Sequence, residues 1–152
     1  MKTPGYEYRS EAQLLLYEFT SEGPKGKVKK IVEYAETSAK GVYNLAFGDY
    51  DESTGEINDG AITNNGDSQK VLATVASTVY AFTGEYPDAW IYAKGNSPGR
   101  TRLYRIGIAT NLIAILIDFE VYGLRDEVWE EFVSGMHYRA FLVRRKNRNF
   151  GR

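Results

Sequence analysis

The sequence lacks cysteine and contains a single histidine, His137, among its 152 residues. Without cysteine the chain can form neither disulfides nor thiolate zinc sites, which is typical of a protein from a reducing compartment. A Ser-His-Asp triad would need His137, but no G-x-S-x-G motif supplies a nucleophilic serine. A histidine beside Tyr138, at the start of a strand, is more typical of a hydrogen-bonded surface residue. We therefore assign no catalytic residue.

Long apolar runs are missing as well. The longest, LIAILI at 112–117, is far shorter than the roughly 20 residues that span a bilayer. The opening stretch MKTPGYEYRSEAQ has no apolar signal-peptide core. With 19 basic and 20 acidic residues the formal net charge is −1, which argues against a surface that is basic throughout but permits a local basic patch. We expect a cytoplasmic protein without membrane contacts.

The residues that are present predict one globular domain, because 43% are hydrophobic and 26% are charged. We expect this domain to cover 1–152, with an ordered core from about 12 to 146 and a basic tail at 147–152. Segments rich in β-branched and aromatic residues, separated by turn residues, predict strands at 13–19, 27–36 and 42–50. The acidic segment that follows predicts a hairpin tip with a short strand returning toward Ile62.

The hydrophobic period then changes from that of strands to that of helices. Apolar residues at helical spacing predict a helix over 68–82 with Asp67 as its N-cap. A short strand at 89–95 follows, and Pro98 begins a second helix. The stretch DFEVYGL is extended, DEVWEEF is either a helical turn or a strand, and 138–145 is a closing strand. The prediction is an α+β fold, with two helices packed on one face of a mainly antiparallel sheet, in the order β-β-β-β-α-β-α-β-β.

The second predicted helix has two apolar faces. The face that we expect to lie on the sheet consists of Leu103, Ile106, Gly107, Thr110, Ile113 and Ala114. The other face consists of Tyr104, Ile108, Leu112 and Ile115. Apolar side chains all round a helix predict burial on both sides. We expect another element or a second subunit to cover the second face, the latter giving a homodimer.

Several sequence blocks carry a family resemblance: GPKGKVKKIVEY, YNLAFGD, NNGD, KVLATVASTV, RTRLYR, DFEVYGL and YRAFLVRRK. In this order they resemble a small family of single-domain bacterial proteins classed as a domain of unknown function. The resemblance extends from about Tyr17 to Lys146. It implies no activity, cofactor or catalytic residue, so the functional prediction depends on the residues themselves.

The stretch GNSPGRTRLYR at 95–105 concentrates positive charge at the start of the second helix. Ser97 is the predicted N-cap, yet Arg100, Arg102 and Arg105 follow at the helix end that favours anions. In one interpretation Ser97, free backbone N–H groups and the guanidinium groups bind a phosphate or carboxylate. In the other, the arginines pair with acids of the chain such as Asp49, Asp51, Asp59 and Asp67. We expect an exposed Arg100 with an external anion, and an internal partner for Arg105.

The NNGD loop before the first helix is a second candidate for anion binding. Asn64, Asn65 and Gly66 tolerate left-handed backbone and could direct N–H groups outward, with Lys70 one turn further along. The spacing is not that of a P-loop, and a simple capped loop is the alternative.

Two other clusters suggest different functions. Carboxylates of the hairpin and the NNGD loop could hold magnesium in a metal-dependent phosphodiesterase or nuclease if they converged; these are Asp49, Asp51, Asp59 and Asp67. Their spacing excludes an EF-hand.

Near the C terminus cations alternate with aromatic residues, as in binders of single-stranded nucleic acid or in an ordinary half-buried strand. The cations are Arg139, Arg144, Arg145, Lys146, Arg148 and Arg152, and the aromatic residues are Tyr138, Phe141 and Phe150.

We therefore predict a non-enzymatic protein that binds an anionic ligand or nucleic acid and needs no metal or cofactor. The predicted binding residues are Asn64, Asn65, Gly66, Lys70, Ser97, Arg100, Arg102 and Arg105. One alternative is the metal-dependent nuclease. The other is a protein-interaction component of a bacterial two-gene module, whose interface would be the second apolar face of the second helix.

Overall fold

The structure, a computed structural model, describes residues 4–58, 65–95 and 97–146. These residues form nine strands and three helices, which confirms the α+β fold. In chain order they are β1 (Arg9–Ser10), β2 (Leu16–Gly23), β3 (Gly26–Glu36), β4 (Val42–Asp51), β5 (Glu56–Asn58), α1 (Ser68–Glu85), β6 (Trp90–Ala93), α2 (Pro98–Thr110), α3 (Leu112–Asp118), β7 (Phe119–Arg125), β8 (Val128–Glu131) and β9 (Ala140–Arg145).

All nine strands belong to one sheet, in the order β1-β2-β3-β4-β6-β9-β7-β8, with β5 paired to β4. Each of the described pairings is antiparallel except that of β4 with β6. A parallel pair cannot be joined by a tight hairpin, so the chain must cross over between its two strands. Helix α1 lies in this crossover, which brings it over the middle of the sheet.

The core lies between one face of the sheet and the helices. Alternate residues of the strands point to this face, as the period of two requires, and Tyr34 and Phe47 are fully buried there. The ring of Phe82 from α1 stacks on Tyr34 with a centroid distance of 4.2 Å. Stacked and edge-on aromatic contacts of this kind add to the burial of apolar surface that holds the helix on the sheet.

The predicted second helix is divided into α2 and α3 at Asn111. The backbone of this residue leaves the helical region, with φ −114° and ψ 18°, and its side-chain Nδ2 donates to the carbonyl of Gly107 at 2.9 Å. An asparagine that bonds to the backbone one turn earlier competes with the regular helical hydrogen bonds. All three helices line the same apolar cavity against the sheet, so they share one of its faces.

The predicted separation of the two apolar faces is wrong in part, because residues of both pack against the core: Gly107 and Ala114 line the cavity together with Ile108 and Ile115. Tyr104 is 6% exposed, and Ile108 and Ile115 line the cavity against the sheet. Ile113, expected on the sheet, is 88% exposed instead. The break at Asn111 changes the helical phase only for α3, whereas Tyr104 and Ile108 face the core within α2 itself. Tyr104, Ile108, Leu112 and Ile115 pack at least in part against the core of their own chain, and the homodimer through them stays a prediction.

The remaining differences concern one additional strand, β1, and the ends of segments: the strand predicted at 13–19 is β2, Leu16–Gly23. DEVWEEF forms a strand, β8, which joins β7 through a tight turn at Asp126 and Glu127. The return strand of the acidic hairpin is β5, and the part predicted near Ile62 lies outside the described residues, as does the tail at 147–152. No helix in the described part of the chain combines the length and apolar character needed to cross a membrane.

Candidate functional site

The N terminus of α2 is capped as the sequence predicts. The Ser97 hydroxyl accepts a hydrogen bond from the backbone N–H of Arg100 at 3.2 Å, and the Ser97 carbonyl accepts from the N–H of Thr101 at 3.1 Å. Pro98 occupies the first turn, where its missing N–H costs nothing. No acidic residue stands in this first turn, so nothing within it offsets the positive end of the helix.

Arg100 points inward from this turn, and its side chain is almost completely buried. Its Nη1 donates to the carbonyl of Phe47, and its guanidinium lies over the Phe47 ring, with Cζ 5.5 Å from the centroid. On this side of β4, pairing with β6 ends at Leu45 and pairing with β5 begins at Asp49. Phe47 lies between the two and pairs with neither strand. Arg100 thus fills a gap beside the sheet. The expectation of an exposed Arg100 is wrong, because this position of the helix faces the sheet.

Arg102 and Arg105 point to the other side of α2, into an open cleft of about 550 Å³. We call it the basic cleft; its lining is Lys94, Gly95, Ser97, Pro98, Thr101, Arg102, Arg105, His137, Tyr138 and Arg139. The Arg105 Nη1 lies 2.8 Å from Nδ1 of His137. Arginine can only donate, so Nδ1 accepts and the histidine presents its other nitrogen as the N–H. The internal partner expected for Arg105 is therefore a histidine and not an acid.

The electrostatics of the basic cleft are one-sided. Four of its side chains are permanently or normally cationic, and none of the described residues that line it is a carboxylate. Arg139 pairs with Glu127 at 2.9 Å, but both side chains are largely exposed and the pair is screened by water. Within 4–58, 65–95 and 97–146, Lys94 and Arg102 form no ion pair. The cleft is thus a positively charged concavity beside the positive end of a helix.

In its described part, residues 65–67, the NNGD loop does not line this cleft. Asn65 is buried, its Nδ2 donates to the carbonyl of Gly26 at 2.8 Å, and its Oδ1 accepts from the N–H of Lys25 at 2.7 Å. The amide group is thereby engaged in holding the turn between β2 and β3. Gly66 has the positive φ expected of it, 75°, while Lys70 lies over the ring of Tyr6. Asn64 lies outside the described residues.

The carboxylates of the nuclease hypothesis are engaged separately. Asp49 forms an ion pair of 2.5 Å with Lys30, whose side chain is only 1% exposed. Asp51 accepts hydrogen bonds from the hydroxyl and N–H of Ser53, which lower the pKa of its carboxyl group. The third, Asp67, accepts at Oδ2 from the hydroxyls of Tyr6 and Ser21, although it makes no side-chain cap of α1.

These carboxylates therefore do not form a shared site. Among the described residues no group of three acidic or histidine side chains has the proximity needed to hold a metal. The remaining acid of the hypothesis, Asp59, lies outside the described residues.

The basic stretch near the C terminus is also largely engaged in structural contacts. Arg144 pairs with Glu120 at 3.2 Å and lies over Trp90, and Arg145 donates to the Thr83 hydroxyl. Phe141 is fully buried in the core. Arg148, Phe150 and Arg152 lie outside the described residues. In its described part this stretch is therefore an ordinary strand whose cations bind neighbouring elements.

Sequence reasoning identifies Ser97, Arg102 and Arg105 but misses Lys94, His137 and Arg139 as neighbours of the same cleft. Lys94 directly follows β6 and so enters the loop that leads to α2. His137 is 32 residues away from Arg105, and only the pairing of β9 between β6 and β7 brings the two together. The sequence draws attention to His137 only because it is the single histidine of the chain. That observation suggests a catalytic role rather than a contact with an arginine.

Comparisons with known proteins give a family but no relative with an assigned function. No curated protein matches the chain, and no solved structure does. A family model matches residues 2–146, which is nearly the whole sequence and every described element of the fold. The chain belongs to DUF6934, a family of unknown function.

Proposed function

We propose that the protein binds a small phosphate- or carboxylate-bearing ligand in the basic cleft, without catalysing a reaction. The observation that supports this is the one-sided charge of the lining, where Lys94, Arg102 and Arg105 face the same space without a carboxylate among the described lining residues. A guanidinium group binds phosphate or carboxylate through two parallel N–H donors, and such charge-assisted bonds are about twice as strong as neutral ones. The positive end of α2 adds to the attraction.

The size of the basic cleft favours a small ligand over a polymer. At about 550 Å³ it falls within the range of ordinary small-molecule pockets, roughly 300–1,000 Å³. On an ideal helix Arg102 and Arg105 lie about 60° apart, so both can reach one anion from the same side. His137 fixes the direction of the Arg105 guanidinium before any ligand arrives, and such preorganisation reduces the entropy lost on binding.

The experiment is a calorimetric titration with inorganic pyrophosphate, repeated with Arg102→Ala, Arg105→Ala and, as control, Arg9→Ala. Arg9 is a largely exposed arginine outside the cleft, in a loose contact of 3.9 Å with Glu18. A lost charge-assisted hydrogen bond costs about 1.5–3 kcal/mol, so each cleft variant should bind roughly 10-fold to 100-fold more weakly. The control should bind as the wild type does.

A parallel titration with a short oligothymidylate distinguishes a small ligand from nucleic acid. If the oligonucleotide binds through Arg102 and Arg105 and pyrophosphate does not, the ligand is nucleic acid, and its affinity should fall steeply with salt. If neither probe binds, or both bind equally well to the two cleft variants, the basic cleft is not the functional site. In this proposal the protein acts in the cytoplasm and requires neither metal nor cofactor.

Self-association is a second candidate, favoured by the outer surface of α3. Ile113, Leu116 and Ile117 are exposed large apolar residues on one short helix, and clustered exposed apolar residues are typical of interaction sites. A second copy of the chain, or the partner protein of a two-gene module, would bind there. Light scattering at increasing concentration tests the homodimer, and Ile113→Lys should dissociate it. A monomer at every concentration would contradict it.

A further inference from the structure

An apolar cavity separates the three helices from the sheet. Its volume is about 130 Å³, and its walls include Leu45 and Ile91 from the sheet, Ala76 from α1, Ile108 from α2 and Ile115 from α3. Protein interiors are packed as densely as organic crystals, and voids larger than one water molecule are rare in them. An apolar cavity of this size between the helices and the sheet, partly open to the surface, is therefore a candidate binding site.

The walls of the cavity offer few hydrogen-bond partners to an ordered water molecule. Every described lining residue is aliphatic, aromatic or glycine, and two of the rings belong to tyrosines. The hydroxyl of one of these, Tyr80, donates to Asp118 at 2.8 Å. A buried water molecule needs two to four polar partners, and apolar cavities of comparable volume, roughly 150 Å³, stay dry and take up benzene or xenon.

One wall of the cavity belongs to the least firmly held helix. In α3 no residue is fully buried, and its two lining residues, Ala114 and Ile115, are flanked by the exposed apolar side chains of Ile113 and Leu116. The helix has only seven residues and begins at the break at Asn111. Elements with few buried contacts open at low free energy without unfolding of the whole domain. The cavity is already partly open, and displacement of α3 would widen the access to it.

We infer that this cavity is a binding site for a small, uncharged apolar molecule of about the size of one aromatic ring. The inference does not depend on the proposed function, because the basic cleft and the cavity share no lining residue. Charged and strongly polar molecules are excluded by the apolar walls, since a buried group without hydrogen-bond partners is unfavourable. The volume of about 130 Å³ fits a single ring.

The test uses benzene as the probe and the methyl groups of the full-length protein as the reporter. Benzene is titrated while methyl NMR spectra are recorded, for the wild type and for Ala76→Leu, which fills the cavity from α1. Ala109→Leu is the matched control, because Ala109 packs against the core from α2 but does not line the cavity. In the wild type we expect saturable shifts of Leu45, Ile91 and Ile108.

The variants decide the location of the site. Ala76→Leu should lose the saturable shifts, and Ala109→Leu should keep them. Absence of saturable shifts in the wild type would overturn the inference, as would unchanged binding by Ala76→Leu. Shifts restricted to Ile113 and Ile117 would show adsorption to the outside of α3 and would overturn it too. Pyrophosphate titrations of the same samples are independent of these results, so failure here would leave the basic cleft untouched.

Discussion

Arg100 is the residue whose substitution best separates structure from binding. It belongs to the same sequence stretch as Arg102 and Arg105, but its side chain is inside the protein and does not line the basic cleft. We predict that Arg100→Ala lowers the free energy of unfolding and leaves pyrophosphate binding unchanged. Arg102→Ala should do the reverse, because that side chain is exposed and lines the cleft.

The magnitude follows from the contacts of Arg100. Truncation leaves the buried carbonyl of Phe47 without its donor, which costs about 1–3 kcal/mol. It also removes two buried methylene groups at about 0.8 kcal/mol each, and a cation–π contact of about 0.5–1 kcal/mol. These losses total about 3–6 kcal/mol. The opposing effect is relief from burying a cation whose Nε has no hydrogen-bond partner among the described residues, worth a few kcal/mol, so we expect a net loss of about 1–3 kcal/mol.

Urea unfolding at neutral pH measures this change, and Arg100→Met serves as the control. Methionine keeps an apolar stem of similar length but removes the charge, so it should lose less stability than alanine. If Arg100→Ala were as stable as the wild type, neither the burial of Arg100 nor its hydrogen bond to Phe47 would contribute to the free energy of unfolding. If Arg100→Ala were fully stable but bound pyrophosphate more weakly, Arg100 would contribute to anion binding, which would contradict the prediction.

Three further substitutions test other parts of the structure. A Cβ at Gly123 would lie 2.4 Å from the ring of Tyr138, so Gly123→Ala should cost about 1–3 kcal/mol by overpacking, measured by urea unfolding. Ala76→Leu should raise the free energy of unfolding by up to about 2 kcal/mol, because three added carbons enter an empty apolar space. The hydrogen bond from Tyr122 lowers the pKa of Glu120 in the folded protein. The ionised carboxylate therefore stabilises the folded state fully above pH 4.5, and this stabilisation is lost as the pH falls through the lowered pKa. Glu120→Gln should therefore reduce the loss of stability on acidification, and an unchanged pH dependence would contradict this.

The sheet was the part of the fold most open to prediction. The predicted strand at 27–36 is β3, Gly26–Glu36, and that at 42–50 is β4, Val42–Asp51, because β-branched and aromatic residues bounded by turn residues are a local signal. The break at Asn111 had no comparable signal. Apolar residues continue on both sides of it, and one asparagine within a helical pattern is compatible with an unbroken helix. As a result Ile113 was expected on the sheet but is exposed, while Gly107 and Ala114 face the sheet as expected.

In the candidate site, only the features that depend on neighbouring residues in the sequence could be predicted. Ser97 as an N-cap depends on residues two or three positions away, and the structure confirms it. Neither the inward direction of Arg100 nor the contact of Arg105 with His137 has such a local cause. The first depends on where β6 stops pairing with β4, and the second on the position of β9 in the strand order. Both are properties of the topology, which hydrophobic periodicity does not specify.

Helix α2 resolves the electrostatic conflict of its own sequence by separating its cations. On an ideal helix Arg100 lies about 140° from Arg105, so one cation enters the protein while the other stays at the surface. Inside, Arg100 is stabilised by a peptide carbonyl and an aromatic face rather than by an acid of the first turn. Outside, Arg102 and Arg105 remain beside the positive end of the helix, where their mutual repulsion and the helix dipole both favour an added anion. The feature that is unfavourable for the helix alone is thus the feature that makes the basic cleft a candidate for anion binding.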